Sequence, residues 1–138
     1  MIKEKEQCIE FQRAKAAEVK KFCDIKYHTK KDERAIRKMD DEKFLRAWED
    51  LKRYVFSDSM IGAGLVAYVC IFCLYHYDES DNDWDYCHNC AYGKNHGICA
   101  YTYSDWRKIL KGMYYLATQP FTNKFYRDLL NKVMEEKT

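Results

Sequence analysis

The sequence predicts a mainly α-helical protein: a small bundle around one buried apolar helix (about 60–76), with a metal-clipped Cys/His loop (about 86–101) projecting from it. Three observations carry that expectation. The 138 residues include only 5 Gly and 1 Pro, too few for a chain built from irregular or all-β segments. Apolar residues recur at three- to five-residue steps near both ends, the spacing of amphipathic helices. Five of the 7 Cys and three of the 4 His fall between Cys70 and Cys99. With 47% hydrophobic and 16% aromatic residues, the chain has enough to bury for one folded domain and is not a disordered sequence. That domain divides into a helical N-terminal region 1–57, the core helix 60–76, an acidic and Cys/His loop 78–103, and C-terminal helices 104–136.

The first helix is expected from Lys3 to about Tyr27. No Gly or Pro interrupts it, and Cys8, Phe11, Ala14, Val19, Phe22 and Ile25 mark its apolar face, with charged residues filling the other. Thr29-Lys30-Lys31-Asp32 has the form of a capping box, with Asp in place of the usual Glu, and restarts a helix through Ile36 and Met39. Asp40-Asp41-Glu42 sets negative charge where a helix N-terminus favours it, and Phe44, Trp48, Leu51 and Val55 form one stripe beyond it. Whether 30–56 is one helix or two stays open at this level. Met60–Tyr77 carries no charge over eighteen residues. That reaches the length of a membrane span, but its Tyr-His-Tyr end shortens the apolar part, and the amphipathic neighbours need something to pack on. A buried core helix is the reading taken, with a single span through 60–77 as the alternative. Ser104 is a good N-cap for a helix through Trp106, Ile109, Leu110 and Met113, which Pro120 stops. Thr122 caps the last helix, with Phe121 and Tyr126 as a hydrophobic staple and Phe125, Leu129, Leu130 and Val133 as its buried face.

Charge is uneven. Residues 1–57 hold 16 Lys/Arg against 12 Asp/Glu, residues 58–103 hold 1 against 6, and residues 104–138 hold 7 against 4. An acidic middle between mildly basic flanks fits neither a strongly basic nucleic-acid binder nor a uniformly acidic mimic of DNA. The charged start, Ile2-Lys3-Glu4-Lys5-Glu6, is no secretory h-region, and an odd cysteine count suits a reducing compartment, so cytoplasm is the expected location.

Cysteine pairs three residues apart can bite one tetrahedral ion. The expected ligands are Cys87, Cys90, His96 and Cys99, which close a short loop around a structural zinc at small cost in chain entropy. Cys70 and Cys73 are the alternative ligands, joined to the Cys87/Cys90 pair, and His76 is a further candidate. A thiol in an apolar helix is also an ordinary core residue, and Cys-x-x-Cys is also a redox motif. With four protein ligands no position is left for water, so the metal is expected to be structural, and no catalytic residue is assigned. Phosphate-loop, nucleophile-elbow, zinc-protease and deaminase motifs are all missing, and the expectation leans away from an enzyme.

What remains is binding to another macromolecule, most simply a protein. Asp81, Asp83, Trp84 and Asp85 in the acidic loop, with Tyr92 and Lys94 in the knuckle, are the expected partner contacts, suited to a basic groove. Short, highly charged, Tyr-rich chains of this kind occur among phage and mobile-element proteins that block host defence, so an inhibitor of a nucleic-acid-handling enzyme is one expected role. The alternative is a zinc-knuckle nucleic-acid module, with Lys20, Lys21, Lys30 and Lys31 as the phosphate-facing patch.

Overall fold

The computed structural model describes residues 2–57, 65, 69–77, 90–99, 101–116 and 118–135. Among these residues there are seven helices and no strand: α1 (Lys3–Lys20), α2 (Lys30–Arg37), α3 (Asp41–Phe56), α4 (Ile71–His76), α5 (Ala91–His96), α6 (Asp105–Tyr114) and α7 (Asn123–Glu135). The mainly helical class is as expected. No helix of the described residues is long and apolar enough to cross a membrane.

Local chemistry sets most helix boundaries. The Asp32 N–H donates to Thr29 Oγ1 while the Thr29 N–H donates to Asp32 Oδ2, the reciprocal pair of a capping box at the start of α2. Asp40 accepts from the Lys43 N–H at 2.9 Å and opens α3, so the stretch 30–56 is two helices. Ser104 accepts from the Arg107 N–H at the start of α6, and Thr122 from the Phe125 N–H at the start of α7. α1 is shorter than the apolar pattern suggests. The Phe22 and Cys23 N–H groups both turn back to the Val19 carbonyl at 3.0 Å, closing the last turn before the chain leaves the helix.

The core lies between α1, α3 and α7. Trp48 is fully buried, stacked on Phe44 (14° between planes) and meeting Phe11 edge-on at 5.9 Å. Leu51 and Val55 continue that stripe of α3, and Phe121, Tyr126 and Leu130 bring α7 onto it. Phe121 stacks on Tyr126 at 6.1 Å, the staple expected around Thr122. Arg127 donates to the Val55 and Ser57 carbonyls, which ties α7 to the otherwise unsatisfied C-terminal end of α3.

Two expectations are corrected. The apolar run is not one helix over 60–76: α4 begins only at Ile71, and Cys70 is extended (φ −110°, ψ 112°). The reason is visible in the carbonyls. Val69 C=O accepts from Lys15 Nζ at 2.7 Å and Leu65 C=O from Trp106 Nε1 at 3.0 Å, so side chains of α1 and α6 take acceptors that a helix would use. Nor do the charges of α1 all face solvent, because Lys5 and Lys15 are buried within the bundle. Lys5 pairs with Asp41 at 2.8 Å and donates to the Arg37 and Met39 carbonyls, finishing α2.

Candidate functional site

The cysteines come together from the N-terminal ends of two short helices. Cys70 is the N-cap residue of α4, with Cys73 one turn on, and Cys90 is the N-cap residue of α5. Beyond α5 the chain reverses at Gly97, whose φ of 85° favours glycine and where a Cβ would stand 3.1 Å from Ser104 Cα. Cys99 follows, its carbonyl accepting from Ser104 Oγ at 3.1 Å. Cys73 shares a hydrogen bond with Cys70 and lies within electrostatic reach of both Cys90 and Cys99. These four thiols therefore form one neighbourhood. Among the described residues, no group of three or more His, Cys, Asp or Glu side chains is drawn in closely enough to hold a metal ion. Cys87, the first residue of the expected ligand set, lies outside the described residues, as do Asp81, Asp83, Trp84 and Asp85.

Beneath the thiols sits Lys15, fully buried. Its ammonium donates to Val69 C=O and weakly to Gln12 Oε1 (3.4 Å), and it lies 5.0–6.0 Å from the ring centres of Tyr27, Phe11 and Tyr126. It has no carboxylate partner among the described residues. Burial pulls its pKa down to about 8, against the opposing pull of Cys70, Cys8 and Cys73. The hydrogen bond from Cys73 lowers the Cys70 thiol to about 6 against its burial, and the charge of Lys15 helps. That bond and burial push the Cys73 thiol the other way.

His96 has a different role from the one expected. Its Nε2 lies 2.7 Å from Asp32 Oδ2 and its Nδ1 2.8 Å from Asp105 Oδ2, with the imidazole 2% and the Asp32 carboxylate 0% exposed. Both partners are acceptors, so the ring donates from both nitrogens and is held as an imidazolium. Burial opposes that charge, but the two carboxylates outweigh it and raise the His96 pKa. Burial likewise opposes the charge of Asp32, and the hydrogen bonds from His96, Asn95 and the Thr29 backbone more than offset it, so its pKa falls. With both nitrogens engaged, His96 has no lone pair to offer a metal. It staples the start of α2 to the end of α5 and the first turn of α6.

Tyr92 is likewise removed from the surface. It is 2% exposed, stacks on His96 at 4.0 Å and donates its hydroxyl to the Tyr27 carbonyl at 2.6 Å, so it supports the staple and is not a partner contact. Lys94 is exposed, whereas His76 is buried against Tyr75. Of the basic patch, Lys21 pairs with Glu18 at 2.9 Å, and Lys20 and Lys30 line a cleft that Lys31 does not. Sequence reasoning missed Asp32–His96–Asp105, although the capping box had already marked Asp32. It also missed Lys15, which falls four residues after Phe11 and four before Val19, on the apolar face.

No protein-family model, no curated protein and no solved structure matches the chain.

Proposed function

We propose that this is a non-catalytic binding protein whose cysteine-rich segment is clipped by a structural zinc ion, which would draw in thiolates from Cys70, Cys73, Cys90 and Cys99 as it binds. Within the stretch 70–99, Cys87 is the remaining cysteine that could take one of the four places. The observation that carries the reading is Lys15, a fully buried cation with no carboxylate partner among the described residues, within electrostatic reach of Cys70 and Cys73. A divalent ion on four thiolates carries a net charge of about −2, since each thiolate ligand is an anion, and burying that charge requires a nearby cation. Lys15 supplies one where no carboxylate competes for it. Compared with the first expected set, Cys87 and His96 leave and the alternative pair Cys70/Cys73 enters.

The clip would fix the chain leading into Tyr101 and Tyr103, which are 41% and 63% exposed and pack on each other at 5.5 Å. Exposed tyrosines on a rigid base are the usual anchors of a protein contact. The acidic balance of residues 58–103 favours a partner with a basic face. A nucleic-acid-handling enzyme of the kind that phage and mobile-element inhibitors block is such a partner, in a reducing, cytoplasmic compartment.

The test is elemental analysis of protein purified under reducing conditions without added metal, beside Cys73→Ser. The wild type should carry about one zinc per chain, and the variant should lose it together with cooperative unfolding. Metal-free protein that is fully folded would remove the clip. Cys70 and Cys73 would then stand as a dithiol with a low-pKa thiolate, to be read by rapid alkylation near neutral pH.

A further inference from the structure

We propose that the cleft between the C-terminal half of α1 and the start of α2 binds a phosphate monoester of mononucleotide size. The cleft encloses about 520 Å³, within the range of small-molecule sites. Three lysines line it, Lys20, Lys26 and Lys30, opposed by the single acid Asp24. None of the three makes an ion pair among the described residues. Arg13 also borders the cleft, but Glu33 takes its guanidinium through two bonds of 2.6 and 2.8 Å. Ala17, Ile25 and Tyr27 supply apolar wall on which a flat or hydrocarbon group can rest.

The wall of the cleft also holds a histidine. His28 lines the same cleft with its side chain only 3% exposed, and its Nδ1 is buried without a hydrogen-bond partner. Its other nitrogen lies 3.2 Å from Glu33 Oε2, so Nε2 carries the proton and Nδ1 is left as a bare acceptor. With under 1 Å² of that nitrogen accessible, it belongs to the packed wall of the cleft, and the exposed lysines are the groups that face a ligand. A phosphate monoester carries one to two negative charges near neutral pH, since its second pKa is about 6. The ammonium groups supply the countercharge, and no lysine needs to leave an existing partner. This site is separate from the cysteine cluster and stands whether or not the zinc reading does.

The experiment is calorimetric titration of the full chain with AMP, inorganic phosphate, adenosine and a short single-stranded oligonucleotide. AMP should bind one to one, about tenfold or more tighter than phosphate or adenosine, because each of those offers only half the contacts. Lys26→Ala, an exposed change that leaves the helices intact by circular dichroism, should weaken AMP binding about tenfold, and Lys20→Ala/Lys26→Ala more. Absence of AMP binding, or equal affinity in Lys26→Ala, would overturn the proposal. So would an oligonucleotide that binds far more tightly than AMP with a steep salt dependence, which would assign the patch to a nucleic-acid backbone.

Discussion

Replacing Asp32 with Ala should destabilise the protein by about 3–5 kcal/mol, the cost of leaving a buried charge without its closest partner. The same change removes the reciprocal half of the α2 capping box, the bond from the Thr29 N–H, and leaves the cap on Thr29 Oγ1 in place. Asp105, 30% exposed, stays on the other side of His96 and keeps the loss from being larger. The staple also has a defined pH window. His96 has a raised pKa in the fold, so its contribution is complete below the unfolded value of about 6.5 and is lost as pH rises through the folded one. Asp32 has a lowered pKa, so its contribution is complete above about 3.9 and is lost as pH falls through its folded value. Between roughly pH 4 and 6.5 both are in place. Urea unfolding at a series of pH values should show the wild-type midpoint falling on the alkaline side, and that slope should flatten in Asp32→Ala. A wild-type midpoint that rises through neutral pH would contradict the assignment.

Lys15→Met should separate two roles of the buried cation. In metal-free protein the change should be near neutral, within about 1 kcal/mol, because a buried charge of low benefit gives way to an apolar chain of similar length. Zinc affinity should fall about 10- to 100-fold, the usual effect of removing a group that supports metal ligands without touching the ion. Competition with a chelator of known affinity measures it. Unchanged zinc affinity with a large loss of metal-free stability would make Lys15 a packing residue only.

Much of the fold is legible in the residues. Thr29, Asp40, Ser104 and Thr122 each cap the helix expected of them, because a cap is decided within three or four residues of the chain. The stripe Phe44, Trp48, Leu51 and Val55 is buried as its spacing demands. The failures are tertiary. Hydropathy alone makes 60–77 a helix, but Lys15 and Trp106 take carbonyls from residues 69 and 65, and nothing local to the run announces those donors. Asp32 and His96 stand 64 residues apart, so their pairing needs the fold before it can be seen. The spacing of His96 from Cys90 and Cys99 is that of a ligand, while its actual partners are carboxylates from two other segments. The cysteines themselves are legible as a cluster, with Cys73 bonded to Cys70 and within electrostatic reach of Cys90 and Cys99.

The measurement that tests the zinc clip most directly is the absorption spectrum of the full chain loaded with Co²⁺ under reducing conditions, in the wild type and in Cys70→Ser. The account predicts one tightly bound cobalt, with intense thiolate-to-cobalt charge transfer and the visible bands of a tetrahedral site. In Cys70→Ser the charge-transfer intensity should drop by about one thiolate's share, since serine is a poor ligand for the ion. A folded protein that gives only the weak spectrum of octahedral, oxygen-bound cobalt would contradict it.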